Sequence, residues 1–225
     1  MSTSTPADAS LCQRLRAISS TSLADASKAT TPLRVLPRSL QPVRSGLKLA
    51  GRAVTAVADD DLMSVIAALA LAGPGDVLVV AGGENGAVAG EIFATEALRR
   101  GVTGLVIDGF CRDRGTLAGL ELPVYARGSV PWAPGARARP IVQVPVTIGT
   151  VTVQPGDLLV GDDDGIVVGS EAELVGVIKG AERIEAYESS LRAAIADGSP
   201  LLDHLNYDEH LAAVTAGRDS ALRFA

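Results

Sequence analysis

The run Gly82-Gly83-Glu84-Asn85-Gly86-Ala87-Val88-Ala89-Gly90-Glu91 is followed by an amphipathic segment over 92–100. The chain then continues Gly101-Val102-Thr103-Gly104-Leu105-Val106-Ile107-Asp108-Gly109-Phe110-Cys111-Arg112-Asp113-Arg114. Small residues make a loop, 92–100 has helical periodicity, glycines return the chain, and 105–107 is a short apolar strand that runs into charge. A βαβ-like path of this kind brings the loop and the charged end to one edge of a sheet.

Upstream, 7–18 reads as a helix with Leu11, Leu15 and Ile18 on one side, and 22–26 as a short second one. Pro32, Pro37 and Pro42 hold the next segment extended or looping. Residues 51–57 form the first clear strand. Asp59-Asp60-Asp61 then head a helix over 62–72, where acids meet the positive end of the helix dipole. Gly73-Pro74-Gly75-Asp76 turns the chain into Val77-Leu78-Val79-Val80, an apolar run of the kind buried on both faces.

Downstream, 123–126, 141–148, 151–153, 157–160 and 165–168 are short β segments between Gly, Pro and Asp turns. Pro155-Gly156-Asp157 repeats Pro74-Gly75-Asp76 ahead of an apolar strand, which reads as one turn chemistry used twice rather than as a duplication. Residues 170–196 form one long helix, and the tail beyond Gly198-Ser199-Pro200 contains another. The first half alternates helix and strand while the second is nearly all β, so an α/β core with an added β layer is expected rather than a doubly wound sheet. That places an α/β core domain with N-terminal helices at 1–168 and a C-terminal helical arm at 169–225, packing on the core or on a neighbouring subunit.

A chain of 225 residues can bury a sizeable core without staples. Its two cysteines, Cys12 and Cys111, are far apart and read as reduced thiols of an intracellular protein. No basic-then-apolar leader opens the sequence, and no run of about 18 apolar residues follows. A cytoplasmic protein with no membrane association is therefore expected. The net charge of −6 and pI near 5.0 disfavour a phosphate-backbone partner, and 3% aromatic residues offer few rings for stacking bases. With nucleic acid set aside, small-molecule chemistry or a protein partner remains.

Four places could carry chemistry. The small residues before Glu91 let backbone amides face a carboxylate or phosphate at a helix start, although a plain connecting loop has the same composition. Arg112-Asp113, past a strand end, can clamp an anion and hold a hard cation, or can be a surface ion pair. Glu91 opens the helix and reaches the same sheet edge, or serves only as an N-terminal acid. Glu188 falls in the apolar stripe Ala181, Ile184, Leu191, Ile195 of the long helix, where a carboxylate is costly unless paired, unless Tyr187 continues the stripe instead. Other patterns are bland. His204 and His210 lie six apart, which does not make a helical zinc face. Ser22, Ser64 and Ser129 lack a nucleophile signature. Cys111 reads as a small hydrophobe at a strand end, and Asp162-Asp163-Asp164-Gly165 as a polar hairpin turn rather than a metal loop.

Together these residues resemble the RraA-like family, which includes 4-hydroxy-4-methyl-2-oxoglutarate / 4-carboxy-4-hydroxy-2-oxoadipate aldolases and regulators of ribonuclease E activity. The resemblance rests on an acid, twenty residues and then Arg-Asp, here Glu91 and Arg112-Asp113. It continues through 122–128, 153–157 and 161–168. The resemblance implies a three-layer β/β/α sandwich of the swivelling phosphohistidine-domain type, assembled as a homotrimer or hexamer with clefts between subunits. It implies a metal-dependent lyase in which Asp113 holds Mg²⁺ or Mn²⁺, Arg112 clamps a small 2-oxo acid and its enolate, and Ala87, Val88, Ala89 and Gly90 take the substrate carboxylate. It further implies that Glu91 orients a water for proton transfer and that Glu188 is contributed by the neighbouring subunit. Glu91 stands where the family commonly has Asp, one methylene shorter. The alternative within the family is a non-catalytic regulator that binds a ribonuclease.

Overall fold

The computed structural model describes residues 6–224. Two helices, α1 (Pro6–Ala17) and α2 (Ser20–Ser27), open the chain, followed by short strands β1 (Arg34–Val35) and β2 (Gln41–Pro42). The α/β heart comes next: β3 (Leu49–Val57), α3 (Met63–Leu71), β4 (Asp76–Ala81), β5 (Ala87–Ala89), α4 (Glu91–Arg99), β6 (Gly104–Cys111), α5 (Arg114–Leu117) and β7 (Val124–Ser129). A β-rich stretch follows, with β8 (Ile141–Val142), β9 (Val146–Ile148), β10 (Val151–Val153), β11 (Leu158–Asp162) and β12 (Gly165–Gly169). The long helix α6 (Glu171–Ala196), a 3₁₀ turn (Leu201–His204) and α7 (Tyr207–Thr215) complete it.

The main sheet runs β1-β12-β11-β3-β4-β6-β7-β2, with β5 paired to β6 and β8 to β3. Strands β3, β4, β6 and β7 are mutually parallel, as βαβ connections require. Their continuous apolar runs are explained by burial on both faces. Val54, Leu78, Val80, Leu105 and Ile107 point to a core shared with α3 and α4 residues such as Val65, Ala68, Ala94 and Ala97. Ala53, Val77, Val79 and Val106 point the other way, onto Val146, Ile148 and Val153 of the β9–β10 hairpin. Helices therefore cover one face and a β layer the other, which is the expected β/β/α layering. A third cluster joins α1 and α2 to β11, β12 and the start of α6 through Leu15, Leu23, Leu158, Val167, Leu174 and Ile178.

The repeated turn is one device used twice. Gly75 and Gly156 have φ of 86° and 85°, a conformation that glycine adopts without a Cβ penalty. In each turn the following aspartate accepts a backbone N–H three residues back, Gly73 N to Asp76 and Gln154 N to Asp157. Both turns brace β3, since Gly75 O accepts from Arg52 N and Asp157 O from Ala53 N.

Two local expectations change. β6 runs on to Cys111 instead of ending at 107, and its extension offers an edge along which Ala87–Ala89 pairs as β5. The carboxylate loop of the sequence reading is thus a short buried strand. The expected strand over 141–148 is divided, because Gln143 takes a positive φ of 54° and Pro145 follows it.

The chain forms two compact units, Met1–Ala181 and Glu182–Ala225. The first includes the opening turns of α6 beyond residue 168, because Leu174, Val177, Ile178 and Ala181 are buried in its third cluster. In the second unit the Tyr187 and Phe224 rings meet at a tilt of 50° with centroids 5.1 Å apart, and Leu205 forms an antiparallel β-bridge with Phe224. His204 bonds Ser199 and His210 bonds Ser220, so each histidine has a local partner. No helix among the described residues is long and apolar enough to cross a membrane.

Candidate active site

Arg112 and Asp113 follow directly on β6 at the rim of the sheet. Arg112 N donates to Ala89 O at 3.0 Å, which ties the pair to β5. Asp113 sits at φ 59°, ψ 36°, a left-handed conformation that aspartate tolerates better than most residues with a Cβ. That backbone geometry accompanies a contact back to α4, where Asp113 Oδ2 accepts the N–H of Glu91 at 3.2 Å. The same oxygen lies 3.4 Å from Arg112 Nε. Asp113 Oδ1 has no partner among the described residues. The Arg112 and Asp113 side chains are 42% and 35% exposed, so water screens their attraction and the pair adds little to stability. Both charges remain open to a ligand.

Gly90 makes this approach possible. Its φ of −157° suits any residue, but a Cβ there would lie 2.5 Å from Asp113 Oδ2 and 2.9 Å from Arg112 Cγ. Residues 87–90, Ile92, Phe93 and Arg112, with Leu62 and Ala133, line a small, partly open cavity. Apart from Arg112 its side chains are apolar. The start of α4 forms part of the wall, and first-turn N–H groups have no intrahelical acceptors and carry the positive end of the helix dipole. The cavity therefore combines a guanidinium, a helix start and an apolar wall, which suits a small acid with a carbonyl beside its carboxylate.

Arg112 also borders a second, larger and more open concavity, shared with Asp113, Arg114, Ser129, Val130 and Pro131. Glu91 is placed differently. Its amide holds Asp113, and the residue borders a third depression with Ile92, Thr95, Glu96 and Thr116. Residues 87–90, Arg112 and Asp113 are thus brought together, with Glu91 beside them at the start of α4.

Glu188 belongs to the C-terminal unit. Its side chain is 41% exposed and lies 3.5 Å from Arg192, one turn further along α6. The apolar stripe expected around it is incomplete, because Ile195 is 41% exposed although Leu191 is buried. Glu188 is therefore a half-exposed, paired carboxylate in this chain, not one sunk in a seam.

Two neighbours tune the rim. Burial pushes the Asp108 carboxyl above its ordinary value, Arg127 draws it back down, and Glu84 pushes it up again. Arg127 Nε lies 3.2 Å from Asp108 Oδ1. Burial also raises the Cys111 thiol, whose Sγ donates to Gly128 O at 3.4 Å. Cys111 is a buried small hydrophobe, as its sequence position suggests.

Among the described residues no three His, Cys, Asp or Glu side chains converge on a point. The donor set at Asp113 is one open carboxylate oxygen, which fits a hard cation that keeps most of its water, as Mg²⁺ does, and does not fit a tetrahedral zinc site.

A model of the RraA-like family, described as Aldolase/RraA, matches residues 20–168. The chain belongs to the RraA-like family. It is 32% identical over 187 residues to a protein of Halalkalibacterium halodurans named "Putative 4-hydroxy-4-methyl-2-oxoglutarate aldolase", covering 82% of this chain and 88% of that one. An uncharacterized protein from Pseudomonas syringae pv. tomato has the same fold, with TM-score 0.75 and 28% identity over 87% of this chain and 96% of its own. Streptomyces coelicolor RraAS2, described as an unusual member of the RNase ES inhibitor RraA protein family, gives TM-score 0.72 at 28% identity, over 83% of this chain and 98% of its own.

Several contributors to this RraA-like site escape a linear reading. Leu62 and Ala133 reach the cavity from distant segments. The segment after β7 is stapled over it, with Trp132 O accepting from Ala87 N at 2.9 Å and Gly135 O from Leu62 N at 2.9 Å. Asp61 holds the same segment by accepting from Arg137 N at 2.7 Å and Ala138 N at 3.1 Å. Its proline- and glycine-rich composition hints only at an extended connection.

Proposed function

We propose that this RraA-like protein is a divalent-metal-dependent carbon–carbon lyase that releases pyruvate from 4-hydroxy-2-oxo dicarboxylates by retro-aldol cleavage, with oxaloacetate decarboxylation as the related reaction. The observation that carries this reading is the cavity in which Arg112 faces the start of α4 within an otherwise apolar wall. The aldolase naming of the Halalkalibacterium relative supports it.

The substrate carboxylate is received at residues 87–90 and the first turn of α4, and the 2-oxo oxygen faces Arg112. Cleavage of C3–C4 sends the bonding pair to C3 and the charge to that oxygen. Arg112 then donates to the forming enolate more strongly than to the ketone, a role worth about 3–4 kcal/mol. The 4-hydroxyl loses its proton as C4 becomes a carbonyl, and Glu91 accepts it through a water from the start of α4. The same route returns a proton to C3. Asp113 would hold Mg²⁺ or Mn²⁺, whose Lewis acidity adds to the stabilisation of charge on the 2-oxo acid. In a homotrimer or hexamer, Glu188 from a neighbouring copy would add an acid to the cleft. Assay of purified protein with Mg²⁺ is expected to show pyruvate release from oxaloacetate and from 4-hydroxy-4-methyl-2-oxoglutarate, abolished by EDTA. No pyruvate from either substrate overturns the reading.

The Streptomyces relative favours a second reading, a regulator that binds a ribonuclease. The acidic balance of this chain suits an arginine-rich partner segment. Tight capture of a purified ribonuclease, unchanged by Arg112→Ala, would support it over the lyase.

A further inference from the structure

We propose that Arg114 is a specificity-determining residue that binds the distal carboxylate of the substrate. The proposal rests on the lyase reading for the position of the head group. On that reading the pyruvyl head lies at the cavity beside residues 87–90, and Arg112 is the cavity's one cationic side chain. Leu62, Phe93 and Ala133 offer nothing to a second carboxylate, and an unpaired charge in such a wall is costly. Arg112, however, is common to that cavity and to the open concavity beside it. A substrate whose 2-oxo group faces Arg112 therefore extends its other end toward Asp113, Arg114 and Ser129.

The charges there are unevenly matched. Arg112 has Asp113 beside it at 3.4 Å. Arg114 opens α5, is exposed, and makes no ion pair among the described residues. A guanidinium presents a fixed fork of donors that matches a carboxylate in bidentate fashion. Ser129, directly across from Cys111 in the β6–β7 register, supplies a hydroxyl on the same rim. Val130 and Pro131 give an apolar surface for a substituent at C4.

This placement separates two reactions. In retro-aldol cleavage the proton leaves the 4-hydroxyl, the C3–C4 pair passes to C3, and the distal carboxylate stays intact on the departing carbonyl product. Arg114 can hold it throughout. In decarboxylation of oxaloacetate the distal carboxylate itself loses its charge as carbon dioxide leaves, so a guanidinium bound to it favours the ground state over the transition state. Arg114 thus biases the site toward aldol substrates.

The test uses two uncleavable probes of equal length, 2-oxoglutarate and 2-oxopentanoate, titrated calorimetrically into the full chain with Mg²⁺. The wild type is expected to bind 2-oxoglutarate about tenfold tighter. Arg114→Gln is expected to collapse that ratio toward one, and Arg114→Lys to keep part of it. In turnover, Arg114→Gln is expected to lower kcat/KM for the 4-hydroxy-2-oxo diacid by a larger factor than for oxaloacetate. Equal affinities in the wild type, no binding of either probe, or an unchanged ratio in Arg114→Gln overturns the assignment. Intact discrimination without pyruvate release would instead remove the lyase reading and leave Arg114 as a diacid-binding residue.

Discussion

Asp162 ends β11 and opens the acidic run 162–164, whereas Asp113 follows β6 between Arg112 and Arg114, and both stand at the rim of one sheet. Asp162 is 8% exposed and its carboxylate accepts three bonds, from Ser20 N at 2.7 Å, Ser20 Oγ at 2.6 Å and Asp164 N at 3.2 Å. Its carbonyl accepts the Tyr125 hydroxyl at 2.9 Å. Asp113 is 35% exposed, accepts one backbone N–H, and holds its backbone in a left-handed conformation. The first carboxylate is consumed by the fold, joining α2 to the sheet. The second is held in place by the fold with one oxygen left open. Lone-pair occupancy, not acidity or sequence spacing, distinguishes a structural aspartate from one that can serve a ligand.

That contrast can be broken at either end. The largest effect is expected at the open site, where Arg112→Ala should lower kcat/KM for pyruvate release by about 10²–10³ with little change in melting temperature. A variant that retains turnover would leave the cavity without its assigned chemistry. Next comes Asp162→Ala, which strands the buried donors of Ser20 and is expected to cost about 2–3 kcal/mol in denaturant unfolding while the folded fraction keeps its kcat. Loss of kcat with stability intact would reverse the roles of the two aspartates.

Gly90→Ala sharpens the geometry. Its methyl must displace Asp113 Oδ2 and Arg112 Cγ, so about tenfold in kcat should be lost, with melting near that of the wild type. Unchanged kinetics would mean that the close approach is not needed for turnover. The smallest effect concerns Asp108, intermediate between the two aspartates. Burial raises its carboxyl and Arg127 offsets this, so Arg127→Gln raises it further. A carboxyl raised on folding contributes its stability below the unfolded value and loses it as pH rises through the folded value. The deficit of Arg127→Gln should therefore be larger near pH 7 than near pH 4. Equal deficits at both pH values would show that Asp108 does not respond to Arg127.

Much of this was legible in the chain itself. The apolar runs of β3 and β4, the amphipathic α4 and the long α6 follow from periodicity, and the twin Pro-Gly-Asp turns have the matched geometry that their shared residues suggest. The meeting of residues 87–90 with Arg112-Asp113 follows from a βαβ path. What stayed hidden is nonlocal. A glycine-rich run becomes β5 only because β6 is long enough to pair with it. Asp162 finds Ser20 across 142 positions. Leu62 and the segment around Trp132 meet at the cavity through tertiary contacts alone. The bond from the Glu91 amide to Asp113 is likewise a tertiary contact that residue type and spacing do not reveal.

The most direct test of Asp113 as the open carboxylate is pyruvate release from oxaloacetate with Mg²⁺, compared between wild type and Asp113→Asn after subtraction of the rate with free metal. Asparagine keeps nearly the same shape and tolerates the left-handed backbone, so the fold is expected to persist, with melting within about 2 °C of wild type. The expected result is release that falls to the free-metal background. Equal rates in the two proteins, with both folded, would contradict the assignment, because turnover would then not depend on the site at all.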